Sequence, residues 1–276
     1  MTDNAYQQVI NDWRTLRNET IRKENSWLAL AGLYWLKLGI KQFGSDPKCE
    51  VQLPARVPPF IGYFEYNGRS VSLRTNPGQK VVVDEKSTDF AILESDMAEN
   101  PSLIKLDGVQ MIVIQRSNKM GVRMWDNQSE KRASFPARTW YPIDEAYRIP
   151  VIYTPYPTPK MAYFPDLTGE KTELPVDGSA SFEFAGKTHQ LDINKEDDGT
   201  YFLRFWDPTS QTESYPTGRY LIPDILPDGS MVLDFNKAYN PPCAFTDFAT
   251  CVFAPEQNHM QFKVTAGETY PRDQHE

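Results

Sequence analysis

Histidine and cysteine are scarce in this chain, with three of each among 276 residues. His189, His259 and His275 are scattered, which argues against a metal or catalytic centre built on a histidine cluster. No run of Lys or Arg occurs, and 37 acidic residues against 29 basic ones leave a formal net charge of -8. Phosphate contacts need clustered cations, so nucleic acid is not expected as a partner. The longest apolar stretch, WLALAGLYWLKLGI, is broken by Lys37 and is too short to span a bilayer, so no membrane partner is expected either. Also missing are the G-x-S-x-G elbow, the P-loop, a G-x-G-x-x-G after a strand and H-E-x-x-H. The opening MTDNAYQQVINDWRTLRNET has no basic segment followed by an apolar one, unlike a secretory signal. Together with an odd number of cysteines, this predicts a soluble protein of the reducing cytoplasm.

What is present is the material of a packed core: 40% hydrophobic and 13% aromatic residues. Tyr6, Val9, Ile10, Trp13, Leu16 and Ile21 recur at helical steps and predict an amphipathic N-terminal helix, capped at Thr2 or Asp3. Ser26 to Gly44 is too densely apolar for one helix face, and Gly32 and Gly39 divide it into turns and short strands. Beyond Glu50 the period falls to two. Asn67-Gly68, Asp107-Gly108, Asp177-Gly178 and Ala185-Gly186 each sit between alternating runs, as hairpin turns do. VVVDE, DFAILES, GVRMWD, TYFLRFWD, RYLIP and MVLDF add further short strands. The expected fold is therefore mainly β, an antiparallel barrel or sandwich with the helix packed outside. The Pro- and Tyr-rich segment WYPIDEAYRIPVIYTPYPTPK reads as a crossover between two sheets of one domain, 1–276, with a domain boundary as the alternative and two strand-rich halves meeting near 140–160.

The richest stretch for chemistry is DFNKAYNPPCAFTDFATC, Asp234 to Cys251. Asn240-Pro241-Pro242 fixes two φ angles and stiffens the backbone, a platform on which polar groups are pre-organised and where a cis bond is one option. Asp234, Asn236 and Asn240 converge if the chain turns there; alternatively Asn236 caps the turn and Asp234 pairs with an arginine. Arg219 offers a planar donor fork for a carboxylate or phosphate, against the alternative of an ion pair with Asp234 or Asp207. Cys243, Cys251 and His259 stand eight apart. Zinc ligation, a disulfide and a cysteine nucleophile all compete with the plainer reading of small buried hydrophobes, which the missing histidine partners favour. Arg123 and Asp126 are three apart, so on a strand they face opposite sides. Trp27, Trp35, Trp125, Trp140 and Trp206 could line a planar-ligand pocket, although in β-rich proteins such residues more often fill the core.

The run DFNKAYNPPCAFTDFATCVFAPEQN, followed by Ala266-Gly267-Glu268, resembles the signature of a bacterial and archaeal family of unknown function, DUF1684. The segments DPTSQTESYPTGRYL, SWLALAGLYWLKLGIKQFGSD and GVRMWDNQSEKRASFP are similar to the same family's pattern, so the resemblance covers nearly the whole chain. The chain departs from that pattern at VFAPEQNHM, where a Pro-Leu-Pro-rich segment is usual, and at His259, where Arg is common. Cys49 matches no motif of the family. The resemblance implies a shared fold and localisation, and no reaction.

Expectation therefore centres on a small polar or anionic metabolite, bound and conceivably hydrolysed. Asp234 is the candidate base with Asn236 beside it, and Arg219 is the anion clamp. Asn240, Thr246 and Cys243 form the walls, and Arg123 faces in from the first half. The competing classes are a protein-interaction module using the proline-stiffened loop with exposed aromatics, and a flavin-binding barrel. No phosphate-cradling glycine loop supports the flavin, and no cofactor is specified.

Overall fold

The computed structural model describes residues 3–116, 118–166, 171–196 and 198–271. Thr2 and His275 lie outside these. Mainly antiparallel β-structure and one long helix, Asp3–Ile21, form the mainly β fold that the alternating pattern predicts. The chain divides into two compact units, residues 20–135 and residues 1–19 with 136–276. Among the described residues no helix is long and apolar enough to cross a membrane.

In the 20–135 unit, two sheets contribute to one apolar core. A five-stranded sheet supplies Phe43, Val51, Phe64, Val71 and Leu73. A six-stranded sheet supplies Val81, Ile104, Val109, Met111, Val113, Val122 and Met124. Inward residues alternate in Val71–Thr75, where Val71, Leu73 and Thr75 are buried. Turn chemistry sets the register. Asp107 and Gly108 have φ of 43° and 74°, closing a two-residue hairpin between Leu106 and Val109. Asp84 and Glu85 do the same between Val83 and Lys86 without any glycine, which no local signal announces. The Asn67-Gly68 hairpin exists but is longer than expected, because Tyr66 pairs with Val71. Here Gly68 alone takes a positive φ, while the Asn67 side chain accepts from the backbone N–H of Arg69 and Ser70.

The other unit is built on a seven-stranded antiparallel sheet. Its longest strand, Arg148–Pro165, is the Pro- and Tyr-rich segment read as a crossover. Proline is tolerated because the ladder to the neighbouring strand jumps from Pro155 to Lys160, leaving Pro157 and Pro159 where no paired N–H is required. Asp177-Gly178 is likewise no turn. It lies inside the strand Lys171–Phe184, while Ala185-Gly186 closes the hairpin as expected, with φ of 51° and 74°. The core of this unit holds Leu191, Ile193, Leu203, Phe205, Leu221, Leu233, Phe235 and Met260.

The helix buries Tyr6, Ile10 and Ile21 of the expected apolar stripe but not all of it. Val9 and Leu16 are about half exposed, at 47% and 55%. Arg14, Arg17 and Asn18 take the inward positions instead. Long cationic side chains can do this because their stems pack while their planar heads stack on aromatic rings. Arg14 lies 5.1 Å from the centroid of Trp140, and Arg17 lies 4.1 Å from that of Tyr239.

Candidate functional site

The signature stretch leaves the sheet at Asp234, the last residue of the strand Met231–Asp234, and enters a short 3-10 turn, Phe235–Lys237. Asp234 caps that turn by accepting the Asn236 N–H at 3.2 Å. From there the side chains part to opposite sides. Phe235, Asn236, Ala238 and Asn240 are buried, whereas Lys237 and Tyr239 stay part-exposed. Gly267 permits this path: its φ is +81°, and a Cβ there would stand 2.6 Å from the carbonyl oxygens of both Phe235 and Ala238.

The inward residues form closed networks. The Tyr6 hydroxyl donates to both oxygens of the Asp234 carboxylate, at 2.9 and 3.0 Å. The Asn236 amide donates to the Tyr6 oxygen at 2.9 Å and to Asp144 O at 2.8 Å. Burial raises the pKa of Asp234, opposed by its bonds from Tyr6 and Asn236. Arg219 does not reach Asp234. It pairs with Asp207 at 2.9 Å, both side chains fully shielded from water. Its fork is further occupied by the carbonyls of Val264, at 2.8 Å, and Ala266, at 2.5 Å. Asp207 also accepts from Val264 N–H at 2.8 Å and from the Thr209 hydroxyl at 3.1 Å. The DPTSQTESYPTGRYL motif thus clamps the segment before Glu268 onto the sheet.

Asn240 joins a third network, in which its N–H donates to Glu268 at 2.8 Å and its amide to Thr269 O at 2.9 Å. Glu268 is held by the Arg138 guanidinium at 2.7 and 2.9 Å, and Arg138 in turn stacks on Phe245. Thr246 is buried and its hydroxyl accepts the Phe248 N–H. Cys243 lies against Cys251 and Tyr215. Arg123 belongs to the 20–135 unit, buried on the strand Lys119–Asp126 opposite Leu33 and Ile112. Of the expected set, Asp234 and Asn236 are brought together, while Arg219, Asn240 and Cys243 each sit in a separate cluster.

The outward residues line a cavity. Trp13 and Arg17 from the helix, Ile222 and Asp224 from the sheet edge, and Lys237 and Tyr239 from the signature turn enclose about 170 Å³. Arg17 lies over Tyr239 and lies 5.7 Å from the centroid of Trp13. Its Nε is buried and has no hydrogen-bond partner among the described residues. Burial lowers the pKa of Arg17, and the like charge of Arg138 adds to that, opposed by Tyr239 and Glu268. A guanidinium stays charged under such pressure, so Arg17 brings a partly desolvated positive charge to the cavity wall. Across the cavity Lys237 binds Asp224 through both oxygens, at 2.7 and 2.8 Å.

None of Trp13, Arg17, Asp224 or Tyr239 is singled out by the sequence reading. The available signals were an arginine one turn beyond a tryptophan on the helix, and Lys237 and Tyr239 alternating with the buried members of the signature. Of the tryptophans considered for a pocket, Trp140 packs edge-on against Trp13 and Trp206 stacks on His259. Among the described residues no three His, Cys, Asp or Glu side chains are arranged to hold a metal ion.

Fold and cavity together define a mainly β protein with a small, cation-lined recess beside its N-terminal helix. Residues 133–269 match the family model described as "Protein of unknown function (DUF1684)", and the chain belongs to that family. The solution NMR structure of an uncharacterized protein from Haloarcula marismortui is 32% identical to this chain, with a TM-score of 0.41. That match covers 51% of this chain and 80% of the other. No curated protein matches the chain.

Proposed function

We propose that the protein binds a small anionic metabolite in the cavity between the N-terminal helix and the signature turn. The observation that carries this reading is Arg17, a partly desolvated guanidinium stacked on Tyr239 in the cavity wall. A desolvated cation is costly, and a carboxylate or phosphate from a ligand offsets that cost in a charge-assisted bond. Lys237 and Asp224 pair with each other, so the recess owes its net positive charge to Arg17. At about 170 Å³ the space falls below the roughly 300–1,000 Å³ of drug-sized ligand sites, so the occupant is small.

Asp234 and Asn236 serve this site indirectly. They hold Tyr6, and Tyr6 holds the helix that presents Trp13 and Arg17. A net charge of -8 and the cationic recess together favour a small anion over nucleic acid. Three free thiols support a reducing compartment, the cytoplasm.

The test is calorimetry and thermal shift with inorganic phosphate and with short mono- and dicarboxylates, on wild type, Arg17→Met and Lys237→Met. One or more of these anions raises the melting temperature of wild type. Losing one charge-assisted pair, about 1.5–3 kcal/mol, weakens binding by roughly 10- to 100-fold in Arg17→Met. Anions that stabilise wild type and Arg17→Met equally would place binding elsewhere and end the proposal.

A further inference from the structure

The cavity leaves the two cysteines of the signature unused, and their surroundings are not those of packed hydrophobes. Cys243 sits in the one-turn helix Pro242–Ala244, immediately after the rigid Pro241-Pro242 step, and remains part-exposed. Cys251 is buried at 5% exposure, and its Sγ accepts the backbone N–H of Cys243 at 3.1 Å. The chain has therefore already closed on itself between positions 243 and 251.

The Cys251 thiol and the Tyr215 hydroxyl are the donor groups beside the Cys243 sulfur. Tyr215 is fixed by an edge-on contact with Tyr270, ring centroids 4.9 Å apart. These donors favour the thiolate of Cys243 and lower its pKa, while the same contact raises that of Cys251. Cys243 is thus the part-exposed member of the pair and the one whose thiolate is favoured, while Cys251 is shielded. Cys49 supplies the contrast within the chain. It is buried in the other unit, bonds to the Pro59 carbonyl at 3.5 Å, and has its pKa raised by burial.

We infer that Cys243 and Cys251 form a redox-active thiol pair, with Cys243 the attacking sulfur toward a hydroperoxide and Cys251 the resolving thiol. In the first step the Cys243 thiolate attacks one peroxide oxygen and the O–O bond breaks. The departing alkoxide or hydroxide takes a proton from water, and Cys243 is left as a sulfenic acid. In the second, the Cys251 sulfur attacks the Cys243 sulfur and the S–O bond breaks. The departing hydroxide combines with the Cys251 proton as water. The two thiols lose two protons and two electrons to become a disulfide, and the hydroperoxide takes them up to give an alcohol, or water, and a second water.

The experiment treats the folded wild-type chain with hydrogen peroxide at low molar excess and follows intact mass and a non-reducing peptide map. The chain is expected to lose about 2 Da as a Cys243–Cys251 cross-linked peptide appears, at least about tenfold faster than Cys49 is modified. In Cys251→Ser the reaction stops at the sulfenic acid, which dimedone traps on Cys243. Wild type that oxidises at Cys49 as fast as at Cys243, or that reaches sulfinic acid without any cross-link, overturns the pairing. A dimedone adduct forming on Cys251 of Cys243→Ser at the same rate overturns the assignment of the attacking sulfur.

Discussion

Replacing Tyr6 with Phe removes one oxygen from the anchor of the N-terminal helix and leaves the ring packing intact. That oxygen donates to both carboxylate oxygens of Asp234 and accepts from Asn236, all three residues being 5% exposed or less. Asn236 keeps two other acceptors, Asp144 O and Asp234 itself, so the cost falls on the carboxylate. A hydrogen bond to a buried charge contributes about 1.5–3 kcal/mol, and no cavity term adds to it, so the expected loss near neutral pH is about 2–3 kcal/mol. At roughly 2–4 °C per kcal/mol, the melting temperature falls by about 4–12 °C.

The pH dependence identifies the cause. Burial already raises the folded-state pKa of Asp234 above its ordinary value of 3.8, and the Tyr6 bond opposes that rise. Between the unfolded and folded values the native state binds more protons, so this group's contribution to stability declines as pH increases. In the variant the folded value climbs further and the decline extends over a wider window. The cost of the substitution is therefore small in acid, where Asp234 is neutral, and full once the wild-type and variant carboxylates are both ionised. Urea unfolding followed by tryptophan fluorescence from about pH 4 to about pH 8 measures it. A cost below about 0.5 kcal/mol at neutral pH, or one constant across that range, would refute the anchoring role.

Two further outcomes follow from the networks around the signature. Glu268→Gln leaves the Arg138 guanidinium buried without its carboxylate and should cost about 3–5 kcal/mol, whereas Glu213→Gln, which loosens an exposed pair with Lys263, should stay within about 1 kcal/mol. Equal effects in urea titrations would show that shielding from water does not set the scale here. Gly267→Ala forces a Cβ against two carbonyl oxygens at a positive φ and should lower stability by at least about 1–3 kcal/mol, while Gly229→Ala, also at positive φ but in open space, should cost less.

Much of the fold was legible because it is written in short-range patterns. Asp107-Gly108 and Ala185-Gly186 announce their hairpins since two successive positive φ values demand such residues. Asp84-Glu85 makes the same turn with residues that carry no such signal, and Asp177-Gly178 carries the signal inside a continuous strand. There, cross-strand pairing overrides local preference, as it does along the proline-rich strand Arg148–Pro165. The helix was predictable from its period, and its inward face in part, through Tyr6, Ile10 and Ile21. Hydrophobicity pointed to Val9 and Leu16, and the rings of Trp140 and Tyr239 drew Arg14 and Arg17 inward instead.

By itself, the sequence determined the mainly β class, the long N-terminal helix and the family to which the chain belongs. These depend on period, turn chemistry and a contiguous motif, all properties of neighbours along the chain. Tertiary structure decided which polar residues are fastened and which are left open. Tyr6 meets Asp234 across 228 positions, and Arg138 meets Glu268 across 130. Such partners close off the conspicuous acids and arginines of the motif. They leave Arg17 and Tyr239 at a cavity, and Cys243 beside Cys251. Whether a charge is satisfied depends on what folds against it, and that information is distributed over residues the linear order keeps far apart.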